Sequence, residues 1–498
     1  MDTHIKSEKH PWFLVAFTSL AVIFTALDQT VIVTVLPELM FDLELGANQL
    51  DNASWIITAY LIGYTAAIPF ASRLADVFGY AIIFRLCLLI FAIGSIFVAI
   101  APNLESIVVS RFIQAVGGGG LIPISLAIVT KHVPQHRKLL AIGIIGASAE
   151  IGLVLGPIYG GIITELLGWR WLFWLDVPQA LIILFGIRYI SSKRSHEAKM
   201  DYRGGFLLTG SLILLTATLS HPGLFDLSST TPLFTGAVGF FIISVFIWNQ
   251  KRVAQPLLPQ ILFQTIPSLA SMTTKLLVGA SLIIAMVTVP LMAETIYGES
   301  TLSGGLRLVR LTVAIPIGAL LGGLVCQRLG TRKVIITGLA ISATALFFMG
   351  QWGLLISDPQ MSINLALAGF GFGLVMAPLF FIVIETCPDD YKATAASIIT
   401  LSRMVGMALG LAALSAWGME HFIQLTGHLE LPLPVTGESS FDLAIRQDRY
   451  IDVLNHATLT LFQHFFRISA SLALIAIIPS ILITTPRITD GKILRRQN

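Results

Sequence analysis

Charge is what this chain has least of. Asp, Glu, Lys and Arg make up 12% of its 498 residues, about half the share of an ordinary soluble domain. A surface wetted on all sides needs more, so a water-soluble globule is excluded. The net charge is only +3, too weak a basic field to hold nucleic acid. Cysteine is scarcer still: Cys87, Cys326 and Cys387 lie far apart, in or beside apolar runs. They offer neither a disulfide framework nor metal-ligand spacing and read as buried small hydrophobes. The ten histidines show no metal spacing, and no nucleophile–His–acid order or phosphate loop occurs. A membrane-embedded enzyme would need a catalytic cluster, and none is found. No metal and no organic cofactor is expected.

What the chain has in excess is apolar length. Hydrophobic residues make up 55% and the mean hydropathy is +0.83. A run of about 18 apolar residues crosses the hydrocarbon core as a helix. Runs bounded by turn and charge signals fall near 12–36, 53–72, 81–101, 106–130, 138–163, 170–190 and 204–221. Others follow near 233–250, 266–293, 303–326, 333–356, 361–386, 393–418 and 456–485. The expectation is an all-α membrane protein of about fourteen spans. Lys6 and Lys9 before the first run imitate a signal peptide, but no small-residue cleavage site follows, so this run is read as a retained first helix.

Lysine and arginine set the orientation. Lys6, Lys9, Lys131, Arg137, Lys138, Lys193, Arg194, Lys199 and Arg203 fall on one side. Lys251, Arg252, Arg328, Arg332, Lys333, Arg495 and Arg496 join them. The loop after the first span carries Glu38, Asp42, Glu44 and Asp51 instead. The positive-inside rule then places both termini in the cytoplasm, as an even number of spans requires.

The chain repeats itself weakly. SRLADVFG (72–79) after the second span is echoed by GLVCQRLGTRK (323–333) after the tenth. EIGLVLG (150–156) in the fifth is echoed by MVGMALG (404–410) in the thirteenth. Two related six-helix halves with a two-helix insert account for both echoes. The expected division is 1–190, an insert and linker at 191–254, and 255–498. A soluble-looking stretch near 419–455 either extends the last two helices outside the membrane or forms a solvated loop.

Charges inside spans cost roughly 2.5–3.5 kcal/mol each on insertion scales and are functional candidates by default. Asp28 lies in the first span, Arg111 with Gln114 in the fourth, Glu150 in the fifth and Arg403 in the thirteenth. At about 100° per residue, Gly143, Gly146, Pro157 and Gly161 share a side with Glu150, whereas Gly152, Gly156 and Gly160 form a row elsewhere. The row suits close approach of a neighbouring helix; the Glu150 side suits an internal seam or cavity. In the internal alignment Arg403 falls one position from Glu150, so the halves set opposite charges at similar depth. A carboxylate in a dry cavity takes or releases a proton as a cation moves away or near, which would couple transport to protons. Structural ion pairing is the competing reading. Arg307 and Arg310 sit near an outer helix end and suit snorkelling; Lys275 is more internal and fits no pattern. The run GGGG (117–120) is read as thinning one helix face.

Gly152-x-x-x-Gly156-Pro157-x-x-Gly160-Gly161 resembles the antiporter motif of the major facilitator superfamily, and Arg111-x-x-Gln114 its fourth-helix motif. LDQTVIVTVLP (27–37) resembles the first-helix motif of its fourteen-helix drug:proton antiporters. WIITAYLIGYTAAIP (55–69), FWLDVP (173–178) and AALSAWG (412–418) are similar to the mycobacterial triacylglyceride and lipid exporter branch, which works with a periplasmic lipoprotein. The resemblance implies two six-helix bundles plus two extra helices in a bacterial inner membrane, acting as a monomer. It implies Asp28, Glu150 and Arg403 as coupling residues, with protons the only coupling ion, and a gate motif at Asp76, Gly79, Arg328, Gly330 and Arg332. That gate departs from the family pattern: Ser72, Val77, Tyr80 and Ala81 replace a glycine and three basic residues, and Gln327 replaces the second acid. The implied function is proton-coupled export of a lipophilic substrate, lipid or glycolipid. The alternatives are a multidrug:proton antiporter for amphipathic drugs and a non-transporting scaffold for the lipoprotein.

Overall fold

The computed structural model describes residues 11–43, 50–187, 201–219, 230–253, 256–258, 260–299, 301–427, 429, 432–433, 440–483, 488–489 and 492–493. Helix dominates. The first half comprises α1 (Pro11–Asp42), α2 (Leu50–Phe78), α3 (Tyr80–Ile100), α4 (Leu104–Gly119), α5 (Leu121–His132), α6 (Lys138–Leu167) and α7 (Arg170–Gly186). An inserted pair follows, α8 (Tyr202–Leu219) and α9 (Thr230–Gln250). The second half opens with α10 (Ile261–Gln264), α11 (Ile266–Thr295), α12 (Thr301–Leu329) and α13 (Thr331–Met349). It closes with α14 (Asp358–Glu385), α15 (Lys392–Thr426), α16 (Ser440–Ile475) and α17 (Ile477–Ile481). A two-residue antiparallel pair, Ile488–Thr489 with Lys492–Ile493, ends the described chain.

Twelve helical stretches among the described residues are long and apolar enough to cross a membrane. Helices also stand at the two remaining expected positions. There α7 has 17 residues with Asp176 and Pro178 inside it, and α8 has 18. Both stand at the short end of the range that spans a hydrocarbon core. At 35 residues α15 runs about 50 Å, well beyond the ~30 Å of a hydrocarbon core. The 36-residue α16 begins at Ser440, so much of the stretch near 419–455 is helix.

The internal echo is conformational as well as sequential. Gly79 and Gly330, each joining two helices, have φ of 101° and 81°, a region only glycine adopts without strain. The α6 glycine row seats on α1, where a Cβ at Gly152 or Gly156 would strike the Ile23 or Leu27 carbonyl. In the second half Gly406 and Gly410 meet the Leu276 and Ala280 carbonyls of α11 in the same way. Ile23 is thus equivalent to Leu276, and Leu27 to Ala280. By the same register Asp28 is equivalent to Ser281, which is hydrogen-bonded to Ser469 at 2.9 Å.

The GGGG run does more than thin one face. Consecutive helical residues point about 100° apart, and the four glycines admit three neighbours. Gly117 meets the α3 backbone at Phe91, Gly118 meets Thr25 of α1, and Gly119 and Gly120 meet Tyr64 and Ala71 of α2. The α4–α5 break falls here, at Gly120.

The inserted pair packs on itself, and α8 touches α2 of one half and α15 of the other. Asp201 ties its ends, accepting from Gly204 N at 2.8 Å and from Gln250 Nε2 at 2.8 Å.

The halves meet through α6 with α12 and α14, and through α2 and α5 with α15. Gly143 abuts the Ala319 carbonyl and Gly323 the Leu139 carbonyl. Lys138 Nζ lies 3.1 Å from Glu385 Oε1, and Gln327 Nε2 donates to the His136 carbonyl at 2.9 Å. These contacts gather at the end of the bundle that carries Arg137, Lys138, Arg328 and Arg332.

Candidate functional site

Three buried polar assemblies lie in this frame. The first is inside the first half. Asp28 projects from α1 and Arg111 from α4, with Arg111 Nη1 2.8 Å from Asp28 Oδ2 and Nη2 donating to the Asp28 carbonyl at 3.2 Å. The guanidinium lies 4.1 Å from the Tyr60 ring centroid, a cation–π contact. Arg111 Nη1 also donates to Gln114 Oε1 at 2.8 Å. The amide of Gln114 turns the other way, 2.7 Å from Ser95 Oγ and 3.2 Å from Asp176 Oδ2. Asp28, Ser95, Arg111, Gln114 and Asp176 are all buried. Five side chains from α1, α3, α4 and α7 thus form one chain of hydrogen bonds.

The second assembly joins the halves. Glu150 on α6 and Arg403 on α15 form a buried ion pair through Oε1 and Nη1. Around Glu150, Gly143 faces α12, while Gly146 has open space beyond its Cα. Lys275, on α11, is fully buried behind this pair. Its ammonium contacts Met376 Sδ and lies 4.9 Å from the Phe380 ring centroid. It makes no ion pair among the described residues. One turn on, Gly279 presses against the Arg403 backbone.

The third assembly is a helix cap shared between halves. Asp76, at the end of α2, accepts from Ala393 N at 3.0 Å, Thr394 N at 2.8 Å and the Thr394 hydroxyl. These are orphan donors of the first turn of α15, where a carboxylate is favoured by the helix dipole. Arg73 stacks on Tyr391 at 4.5 Å. The second-half copy of this motif is unlike the first: Arg328 and Arg332 are exposed and form no ion pair among the described residues. Gln327, standing where an acid was expected, uses its amide to hold His136.

The antiporter-motif residues build the scaffold under Asp28. Gly152, Gly156 and Gly160 all face α1, and Gly161 is half-exposed. α6 runs through Pro157, whose side chain lies outside the described set. A proline lacks the N–H that would bond the carbonyl four residues back. That carbonyl belongs to Leu153, and Thr30 Oγ1 of α1 donates to it at 2.9 Å. Glycines and proline therefore both direct α6 onto the helix that carries Asp28.

Asp176 is the site residue that sequence reasoning missed. It is an acid within an expected span, in FWLDVP (173–178), and its signal is that charge. Arg307 and Arg310 lie outside the site. Arg307 pairs with Glu299, Arg310 Nη1 lies 3.1 Å from Asp358 Oδ1, and the Arg307 guanidinium is 5.5 Å from the Tyr297 ring.

Two pseudo-equivalent helical halves, buried charges within the apolar helices and contacts concentrated at one end define a multi-pass membrane transporter. The chain belongs to the Major Facilitator Superfamily, whose family model matches residues 18–411. It is similar to a triacylglyceride transporter of Mycolicibacterium hassiacum, 34% identical over 429 residues, covering 81% of this chain and 79% of that one. The Mycolicibacterium smegmatis triacylglyceride transporter is 31% identical over 485 residues, covering 94% and 86%. Among solved structures, a human organic anion transporter superposes with a TM-score of 0.60 at 15% identity, over 94% of this chain and all of that one. The proton:xylose symporter XylE gives 0.61 at 13% identity, over 95% of each chain. At these identities the two structures speak for the fold alone.

Proposed function

We propose that this protein exports a lipophilic substrate, lipid or glycolipid, from a bacterial inner membrane by proton-coupled alternating access. The observation that carries this reading is the buried Glu150–Arg403 pair, which spans the two halves at mid-depth. A buried charge parted from its partner costs several kcal/mol, so the halves separate readily there only when something replaces Arg403 as the counter-charge of Glu150. A proton does so. With the basic end taken as cytoplasmic, the Asp76 cap, the Lys138–Glu385 pair and the Gln327–His136 bond close the cytoplasmic side. The described arrangement is then the one that faces outward.

Asp28 and Arg111 supply a second titratable pair, inside the first half and on the helix seated by Gly152 and Gly156. Proton arrival at Asp28 would free Arg111 and loosen that half internally, while proton arrival at Glu150 would free the halves from each other. Lipid as substrate is supported by the apolar composition and by relatives that are named triacylglyceride transporters. The far ends of the long α15 and α16, around 419–455, would stand outside the membrane, where a released lipid must be handed to a carrier such as a lipoprotein.

Transport in proteoliposomes with an imposed pH gradient tests this. Extrusion of a fluorescent triacylglycerol should follow the gradient and lose that dependence in Asp28→Asn. Extrusion that ignores both would sink the coupling. A wild type that moves amphipathic cations but no lipid would make it a drug antiporter instead. Function that survives Asp28→Asn and Glu150→Gln but fails on removal of 419–455 would point to a scaffold.

A further inference from the structure

The buried cluster of the first half holds two carboxylates, Asp28 and Asp176, and one guanidinium, Arg111. Asp28 takes the guanidinium directly at 2.8 Å. Asp176 receives only neutral donors, Gln114 Nε2 at 3.2 Å and Ser95 Oγ at 2.9 Å. Tyr60 and Tyr159 are the other titratable groups facing the cluster, from α2 and α6, and neither brings positive charge. A second full negative charge here would be buried without a cation, among the costliest arrangements in a membrane interior.

The hydroxyl of Ser95 accommodates the alternative. Ser95 Oγ lies 2.9 Å from Asp176 Oδ2, 3.0 Å from the Phe91 carbonyl and 2.7 Å from Gln114 Nε2. A serine hydroxyl has one proton and two acceptor lone pairs, so it serves only one of the two acceptors beside it. With Asp176 protonated, the carboxyl donates to Ser95, Ser95 donates to Phe91, and Gln114 donates to Ser95. All three distances are then used at once. With Asp176 ionised, Ser95 rotates its proton to the carboxylate and the Phe91 contact goes unused. Asp176 also lines a small cavity with Phe24, Thr25, Phe91, Gln179 and Ile183, with about 10 Å³ open to the centre of a water molecule. That is room for about one water.

We propose that Asp176 is a second proton-carrying residue of the transport cycle, holding the proton while Asp28 is paired with Arg111. The proposal rests on the proton-coupled reading above. In this cycle Asp28 ionises onto Arg111, and Asp176 keeps the cluster neutral by staying protonated, its O–H donating to Ser95. When Asp28 takes a proton from outside and releases Arg111, the freed guanidinium becomes the counter-charge of Asp176, through the Gln114 bridge. Asp176 then gives its proton to the adjacent cavity. One proton enters at Asp28 and one leaves at Asp176, so the cluster charge is unchanged.

Infrared spectroscopy of the full protein in nanodiscs tests the assignment through the stretching band of a protonated carboxyl. The band should be present in wild type, lost in Asp176→Asn, and kept with a shifted frequency in Asp176→Glu. Ser95→Ala should shift it, because the acceptor of the acid's proton is gone, and this readout holds even if Asp176→Asn does not fold. A band that survives Asp176→Asn, or is unmoved in Ser95→Ala, overturns the proposal. In proteoliposomes, Asp176→Asn should lose the stimulation of export by a pH gradient, and Asp176→Glu should restore it. A wild type that follows the gradient beside an Asp176→Asn that follows it equally removes only this proposal. A wild type that ignores the gradient removes the coupling reading together with it.

Discussion

Replacing Glu150 by Gln isolates the cross-half ion pair, because glutamine keeps the shape and one hydrogen-bond acceptor while removing the charge. The two side chains are only 5% and 10% exposed, so solvent screens the pair little. A hydrogen bond to a charged group contributes about 1.5–3 kcal/mol, and each ~1.4 kcal/mol is a tenfold change in an equilibrium. The balance between joined and separated halves should therefore shift roughly ten- to a hundredfold toward separation. The Asp76 cap, the Lys138–Glu385 pair and the Gln327–His136 bond remain, so that end should open more often rather than lose its fold. Pulsed electron-spin distance measurements between labels at Lys131→Cys and Lys333→Cys, exposed in opposite halves, would read the change. All three native cysteines are buried, which keeps background labelling low. Wild type should give one short distance and Glu150→Gln a second, longer one. The exchange Glu150→Arg with Arg403→Glu should recover the short distance. Identical distributions in wild type and Glu150→Gln would refute the idea that this pair holds the halves together.

Thr30→Val removes the hydroxyl that bonds the Leu153 carbonyl left free by Pro157. It should lower stability by about 1–3 kcal/mol, the cost of an orphaned buried acceptor, read as thermal unfolding in detergent; a Tm unchanged from wild type would show that carbonyl to be satisfied otherwise. Lys275→Met removes an ammonium whose contacts are a thioether and a phenyl ring, so it should raise the Tm; a large fall would mean the lysine is held by an anion. The Glu299 carboxyl is held below the usual carboxylate range by its hydrogen bond from Arg307. A depressed acid contributes stability that is fully present above its unfolded value and is lost as pH falls through the folded one. Thermal stability should accordingly drop on acidification below the ordinary glutamate range in wild type and less so in Glu299→Gln; parallel curves would rule the pair out as a contributor.

How much of this was legible in the sequence depends on the range of the physics involved. Helices follow from local apolar runs, and each expected span has a helix. The Gly79 and Gly330 turns were legible because a positive φ demands glycine at one place whatever surrounds it. The glycine row on α6 announced a close neighbour but could not name it: α1 lies more than a hundred residues earlier, and only packing selects it. Partners of the buried charges were hidden for the same reason. Asp28, Arg111, Glu150 and Arg403 each drew notice as costly intramembrane charges, yet which acid takes which base is a matter of helix arrangement. Asp176 escaped because its motif was matched as a pattern and its charge was not weighed. Arg328 and Arg332, expected at a gate, stand exposed in this arrangement while Gln327 makes the contact.

The two halves share their packing but not their charges, and that difference bears on how one can drive the other. Gly152 and Gly156 on α6 are matched by Gly406 and Gly410 on α15, so both halves seat equivalent helices at the same depth. The acids Asp28, Asp176 and Glu150 all belong to the first half, whereas the second contributes Arg403 and Lys275. Asp28 finds its equivalent in Ser281, a residue that cannot titrate in the working range. On the proton-coupled reading proposed above, the carboxylates that take protons all lie in the first half, opposite Arg403. The attraction across the seam would then fall when Glu150 takes a proton, while helix packing inside each half, built on glycines and backbone, would be untouched. A rigid-body motion between halves is what such an arrangement can produce, because the part that titrates is separate from the part that packs.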